Sequence, residues 1–282
     1  MGTWGAGLYD DDYASDLRDS LKAVTRLPFD GVELLRILAE QEGEPDPDDE
    51  SVHWLVVADQ FCKQGVASSE ARTKALEILE SGQNLELCER LGMSAPLLKK
   101  RAKNLETLAA KLREWPEKKR KTLSKPQPLL LEVGEVIVYP LSKGAPVNPY
   151  RGDRTADKHW VQNGWGAAVV VEADRIFGYL AWYRPVKAQR IGEEKPSLEA
   201  VLEVPDWNLE HAATCSSRHY QRMELEKIGQ VELASRWEEH LGDRFVTGKQ
   251  AALSDISIAN SLDVIPGEEF GKMSVSELLA GR

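Results

Sequence analysis

The spacing of apolar residues changes at Pro126–Pro128, and this change constrains the fold more than any other feature of the sequence. Before it, apolar residues recur every three or four positions, which is typical of amphipathic helices. After it, segments such as 135–141 and 165–173 are rich in β-branched and aromatic residues, which is typical of strands. The chain is therefore predicted to be α+β, with an N-terminal antiparallel helical array followed by a strand-rich, partly antiparallel β domain with a few short helices.

This change also divides the chain. With 282 residues, it is long enough for two domains that each bury a core. We predict an acidic helical domain at 1–115, a basic proline-containing linker at 116–130, and a β-rich domain at 131–282. Within the last of these, strands are expected near 135–141, 165–173 and 175–184, the latter two forming a hairpin around Ala173-Asp174.

The first 21 residues place a Trp between glycines, then a Tyr, then three consecutive carboxylates before the first helix. Glycine permits backbone angles closed to other residues and close approach of the chain to its neighbours. A carboxylate at Asp11 or Asp12 can cap the free amides of the helix that follows. The turn is predicted to be a structural anchor formed by Trp4, Gly5, Gly7, Tyr9 and Asp11.

The pattern Trp4-Gly5-x-Gly7-x-Tyr9-x-Asp11-Asp12-x-Ala14-x-Asp16 resembles the start of a bacterial family, domain of unknown function 4259. The resemblance covers about the first hundred residues. Tyr9 stands where that family has Phe, and Asp11 stands where it has Asn. The resemblance supports the prediction of a turn at the N-terminus and implies no particular chemistry.

The segment Val133–Leu141, VGEVIVYPL, is similar to the first strand of the immunity protein 26 family. That family typically begins Val-Gly-Asp, continues with apolar residues and Pro-Leu, and forms a strand-rich domain. Together with the N-terminal pattern, this resemblance implies a bacterial accessory protein of toxin and defence neighbourhoods.

Charge is distributed unevenly along the chain. The formal net charge is −10, but residues 1–98 carry −12 and residues 99–125 carry +8. An acidic surface repels nucleic acid and attracts a basic protein. The basic segment 99–125 has three interpretations: a solvated helix end and linker, a nucleic-acid contact, or a helix that packs across the acidic layer of its own chain.

Three scattered cysteines are too few for a disulfide framework, so reduced thiols are expected. His211, Cys215 and His219 lie four residues apart and would share one face of a helix, which is the geometry for a zinc-ligand set. A zinc site on one helix face is disfavoured, because structural zinc sites usually combine ligands from separate elements. We predict no metal and no cofactor.

The chain has no apolar run of the roughly 20 residues that span a bilayer, and its acidic start is unlike a secretion signal. A cytoplasmic protein without a membrane partner is expected. Phosphate-binding glycine loops and nucleophile motifs are missing from the sequence.

We therefore predict a non-catalytic binding protein, an immunity-type inhibitor or defence-associated accessory protein that binds a basic protein, such as a cognate toxin, through an acidic face. The alternatives are a metal-dependent hydrolase or nuclease, and a nucleic-acid-contacting module that uses 99–125. The predicted contact residues come from the first helix and from the long connection 142–164: Asp10, Asp12, Asp16, Asp19, Arg154 and Trp160.

Overall fold

The computed structural model describes residues 5–115, 117–148, 160–188, 192–235, 237, 239, 252–253, 256–263 and 272–281. The chain divides into two compact units, residues 1–124 and 125–282. The first is helical, and the second contains a seven-stranded sheet with short helices, which confirms the α+β prediction.

The helical unit contains α1 to α6. Their bounds are α1 Asp12–Val24, α2 Gly31–Glu42, α3 Glu50–Gln64, α4 Ser69–Ser81, α5 Gln83–Arg90 and α6 Ala95–Glu114. Side chains of Asp11, Asp30 and Ser68 cap the first turns of α1, α2 and α4. Glycines in the left-handed region, Gly65 and Gly82, end α3 and α4.

Helix α3 is the centre of this unit. It packs against α1, α4, α5 and α6, and every residue from Ser51 to Cys62 except Trp54 is buried. A helix with apolar residues around its circumference must be covered on all sides. The surrounding helices therefore present their apolar faces to α3.

The boundary between the two units, after Ser124, falls within the segment 116–130 that is predicted to be the linker. The guanidinium of Arg120 donates to the carbonyls of Thr25, Leu27 and Phe29, which follow the C-terminal end of α1. These carbonyls need donors that the helix itself does not supply. The chain from Lys125 onward belongs to the second unit, where Gln127 N–H donates to the Tyr179 carbonyl at 2.9 Å.

The second unit contains β1 Glu135–Ser142, β2 Ala145–Pro146, β3 Gly164–Ile176, β4 Leu180–Ala188, α7 Leu198–Leu202, β5 Asp206–Leu209, α8 Ser217–Arg222, β6 Glu226–Gln230, α9 Ile258–Asp263, β7 Lys272–Ser274 and α10 Val275–Leu278. The strand order is β2-β1-β3-β4-β5-β7, with β6 also paired to β1. All of these strand pairs are antiparallel.

Both faces of the central strands of this sheet are buried. In β1, Ile137 and Tyr139 face one core, and Val136 and Val138 face the other, because side chains alternate along a strand. Gly166 pairs with Tyr139 across the strands, and a Cβ at Gly166 would lie 2.4 Å from the Tyr139 ring. The sheet therefore requires glycine at 166.

The β3–β4 hairpin turns later than the sequence predicts. Ala173 and Asp174, the predicted turn, pair with Tyr183 and Trp182 inside the ladder. The turn lies at Ile176–Tyr179, where Phe177 has φ 52° and Gly178 has φ 71°. Two successive residues of positive φ suit the twist of a tight hairpin, so Gly178 decides where the strand reverses.

Candidate functional site

The N-terminal turn is closed by Asp10. Its Oδ2 accepts a hydrogen bond from Gly7 N–H at 2.7 Å. Neither Gly5 nor Gly7 has a positive φ; a Cβ at either position would lie within 3 Å of the Asp10 carboxylate. Close approach, not an unusual backbone angle, is therefore the reason for the two glycines. Asp10, which is also one of the predicted partner contacts, accepts a hydrogen bond within the turn.

Side chains of helix α6 donate hydrogen bonds to this turn. Arg101, which is 1% exposed, donates from Nη1 to the Gly7 carbonyl at 3.0 Å and from Nε to Asn84 Oδ1 at 2.8 Å. Asn104 Nδ2 donates to the Ala6 carbonyl at 3.0 Å. These bonds fix the turn against a helix that lies about ninety residues further along the chain.

Tyr9 attaches the same turn to α3. Its hydroxyl donates to Asp59 Oδ2 and accepts from Gln60 Nε2. Burial, followed by the negative charge of Asp59, raises the pKa of Tyr9 well above its usual value. Tyr9 is therefore a neutral donor, and the prediction that Gly5, Gly7, Tyr9 and Asp11 form a structural anchor agrees with these contacts; Trp4 lies outside the described residues.

Asp59 is a buried carboxylate with two cations beside it. Lys111 Nζ lies 2.7 Å from Oδ1, and Lys63 Nζ lies 2.5 Å from Oδ2. Burial opposes ionisation of Asp59, but the hydrogen bonds from Lys111, Lys63 and Tyr9 outweigh it and lower its pKa. The ion pair with Lys111 joins α3 to α6.

The start of α1, the end of α2 and the loop before α3 bring carboxylates together around Tyr13. We call Asp11, Glu42, Asp46, Asp48 and Asp49 the acidic cluster. Burial and the charges of four of them, Asp49, Glu42, Asp46 and Asp11, raise the pKa of Tyr13. Burial and the neighbouring charges of Asp11, Asp46 and Asp48 also raise the pKa of Asp49, whose side chain makes no capping hydrogen bond.

His53 is a buried residue that contacts Tyr13. Its Nδ1 is 2.7 Å from the Tyr13 hydroxyl, and its ring packs edge-on against Trp54 with centroids 5.3 Å apart. Burial, with the nearby charge of Lys74, lowers the pKa of His53 to about 4. A neutral imidazole accepts from the protonated Tyr13, so His53 is a packing residue at neutral pH.

The carboxylates of α1 fall into separate groups. Asp11 Oδ1 accepts from Ala14 N–H at 3.0 Å and caps the helix. Asp19 pairs with Lys22 at 2.6 Å and with Arg18 at 3.3 Å; burial raises its pKa, but these partners outweigh burial and lower it. Asp12 and Asp16 are exposed, and no cation pairs with them within the described residues. Asp16 lies three residues beyond Tyr13 and so beside it on the helix surface.

Two predicted contacts belong to the connection between β2 and β3. Arg154 lies outside the described residues. Trp160 is half-buried, and its indole N–H has no hydrogen-bond partner in the part of the chain that the structure describes. Trp160 belongs to the second unit, whereas the predicted acidic contacts belong to the first.

His211, Cys215 and His219 do not share a helix face. Ala213 N–H donates to Tyr183 O at 2.7 Å and Thr214 N–H donates to Ile256 O at 2.7 Å, so this stretch is extended and α8 begins only at Ser217. Burial raises the pKa of Cys215 to about 12, which keeps the thiol protonated. Among the described residues, no three His, Cys, Asp or Glu side chains are placed to hold a metal ion.

The basic segment contacts the helices of its own unit. Lys111 pairs with Asp59 and Arg113 with Glu80 at 3.3 Å, while Arg120 covers carbonyls after α1. Lys99, Lys100 and Lys103 remain exposed on α6. These contacts favour the interpretation in which the basic helix packs across the acidic layer.

Sequence reasoning missed Asp59, Asp49 and Arg101. For Asp59 a signal existed: it interrupts the apolar run VHWLVVADQFC, and a charge on a buried face needs a partner. No comparable signal identifies Arg101, since its partners lie far away in sequence.

Among the described residues, none of the helices combines the length and the apolar character that a membrane span needs.

Comparison of the chain with protein-family models, with curated proteins and with solved structures gave no match.

Proposed function

We propose that this chain is a non-catalytic binding protein of the immunity or defence-accessory type, which acts in the cytoplasm and binds a basic protein partner through the acidic cluster and the neighbouring Asp12 and Asp16. The observation that carries the proposal is the close grouping of carboxylates around Tyr13, whose charges add to the effect of burial in raising the pKa of Asp49. Like charges held together destabilise a fold, and a cationic partner relieves that repulsion.

The composition of the cluster also supports binding over catalysis. Tyr13 and His53 bond to each other, and His53 is buried and neutral. The exposed groups are carboxylates on α1, at the end of α2 and on the loop before α3: Asp12, Asp16, Glu42, Asp46 and Asp48. A fixed negative surface raises the association rate with a basic protein and selects partners by charge.

Two further observations support the biological setting. The N-terminal turn resembles the family of unknown function 4259, and the first strand resembles the immunity protein 26 family. The three cysteines are free and buried, which suits a reducing compartment. A basic toxin encoded beside the gene for this chain is the partner that these features favour.

Binding to the basic proteins encoded by neighbouring genes tests the proposal. Each is co-expressed with the full chain, and association is measured with purified proteins across a salt series. We expect one to bind with an association rate that falls steeply as salt increases. Its toxic activity, where it has one, should be blocked by the wild-type chain.

A charge-matched pair of variants locates the surface. Replacing Asp12, Asp16, Asp46 and Asp49 by Asn should slow association on the order of tenfold or more. Replacing four exposed glutamates elsewhere in the unit, Glu77, Glu86, Glu89 and Glu106, by Gln removes the same charge and should change the rate much less. Equal effects of the two variants, or no neighbour that binds, would contradict the proposal.

A further inference from the structure

A cleft lies between the N-terminal turn, α3 and α6 of the helical unit. Its volume is about 280 Å³. Ala6, Leu8 and Tyr9 of the turn form one side, and residues of α3 and α6 form the others. The cleft shares no residue with the acidic cluster, so it is a separate feature of this unit.

The charges that line the cleft do not balance. Lys63, Lys111 and Arg101 contribute three positive charges, and Asp59 contributes the one negative charge among the lining residues. Asp59 already pairs with both lysines. The cleft is therefore cationic inside an acidic unit, and it favours an anion.

Arg101 provides the most specific evidence. It is 1% exposed, and its hydrogen bonds go to two neutral oxygens, Gly7 O and Asn84 Oδ1. No carboxylate pairs with it, and its Nη2 makes no hydrogen bond, within the residues that the structure describes. A buried guanidinium without an anion is costly, because charges removed from water need a counter-charge. An anion in the cleft supplies one.

The rest of the lining is largely apolar. Leu8, Leu105 and Leu108 face the cleft, with the polar side chains of Asn104 and Thr107 beside them. An inorganic anion would leave this apolar wall unused. The volume suits a ligand of roughly ten non-hydrogen atoms, at the small end of ligand-binding pockets.

We propose that this cleft binds a small amphipathic carboxylate. The carboxylate lies against Arg101 Nη2 and Lys111, and the hydrocarbon body lies along the three leucines. Nε and Nη1 of Arg101 already donate to Asn84 and Gly7, so Nη2 is the guanidinium nitrogen left to donate to the carboxylate. A hydrogen bond between a guanidinium and a carboxylate is charge-assisted and stronger than one between neutral groups.

Titration calorimetry of the full chain tests this with defined probes: octanoate, its neutral amide, butyrate and inorganic phosphate. We expect saturable octanoate binding with a dissociation constant on the order of 1 mM or tighter. Octanamide should bind about tenfold more weakly, because charge-assisted hydrogen bonds are lost. Butyrate and phosphate should also bind about tenfold more weakly, because the leucines are not covered.

A pair of tryptophan variants on α6 locates the site. Thr107 lines the cleft and its hydroxyl bonds only within its helix, to the Lys103 carbonyl at 3.0 Å, so Thr107→Trp fills the cleft without removing a tertiary hydrogen bond. This change should weaken octanoate binding at least tenfold. Ala110→Trp adds the same side chain at an exposed position of the same helix and should leave the affinity within about twofold.

Three results would overturn the proposal: no saturable binding of octanoate to the wild-type chain, equal affinity for octanoate and octanamide, or unchanged affinity in a folded Thr107→Trp variant. Tight binding of phosphate alone would replace the carboxylate with a simple anion and would also overturn it. If Thr107→Trp does not fold, the contrast between acid and amide on the wild-type chain decides. Binding of a basic protein is measured separately, so either proposal can fail alone.

Discussion

At the scale of single residues, the helical unit is defined by a few buried polar groups with distant partners. Asp59 is 5% exposed and is ionised because Lys63, Lys111 and Tyr9 all donate to it. His53, also 5% exposed, is kept neutral by burial and bonds to Tyr13. Each group joins α3 to another element, so each affects both stability and the shape of the surface.

His53 should make the helical unit sensitive to acid. Its pKa is about 4 in the fold and about 6.5 in an unfolded chain. Between these values the unfolded chain binds more protons, so the contribution is fully present above pH 6.5 and is lost as pH falls toward 4. The loss amounts to at most about 3 kcal/mol.

The variant His53→Gln isolates this effect, because its amide accepts from Tyr13 without titrating. Urea unfolding followed from pH 7 to pH 4 should show a steeper loss of stability in the wild-type protein than in the variant. Parallel curves for the two proteins would show that His53 does not carry the acid sensitivity.

At the scale of elements, capping and turn residues decide where helices and strands begin and end. Asp11 caps α1, and Ser274 with Glu277 forms the capping box of α10. Gly178 and Phe177 place the β3–β4 turn. In these cases a hydrogen bond or a backbone angle of nearby residues sets where the helix or strand begins or ends.

Substitutions at Asp11 should separate its capping role from its charge. Asp11→Ala removes the acceptor for Ala14 N–H and should destabilise the helical unit by about 1 kcal/mol. Asp11→Asn keeps an acceptor and removes a charge from the acidic cluster, so it should change stability by a few tenths of a kcal/mol at most. Thermal or urea unfolding measures both, and equal losses in the two variants would mean that the carboxylate charge, not the cap, is what matters.

At the scale of the whole molecule, two units each bury a core of their own. The helical core surrounds α3, and the cores of the second unit cover the two faces of the sheet. Each unit carries 18 basic and 23 acidic residues. The charge asymmetry of the sequence therefore lies inside the helical unit, where part of the basic segment pairs with acidic helices.

Both units should fold when produced alone, since 124 and 158 residues are enough to bury a core. We expect the fragments 1–124 and 125–282 to unfold cooperatively in calorimetry and to keep helical and mixed circular dichroism spectra, respectively. A fragment ending at residue 115 should be less stable than 1–124, because it lacks Arg120 and its bonds to carbonyls after α1. Non-cooperative unfolding of either fragment would contradict the division.

Much of the fold follows from local chemistry in the sequence. The change of apolar spacing at Pro126–Pro128 predicts the α+β class, and the Asp11 cap and the first strand lie where the sequence predicts them. These features depend on residues within four positions of one another. No tertiary information is needed to predict them.

The candidate sites depended on contacts over long distances in sequence. His211, Cys215 and His219 do not share a helix face, because residues 213–214 pair in extended form with β4 and with residues near α9. Gly5 and Gly7 are needed because Asp10 approaches them closely. Arg101 and the acidic cluster acquired their environments only when α3, α6 and the N-terminal turn packed together. The sequence by itself determined the fold class and ends such as the Asp11 cap and the first strand, because those follow from residues close together in the chain. Only the tertiary structure decided which charges are buried, paired or exposed, because burial depends on residues far apart in the chain.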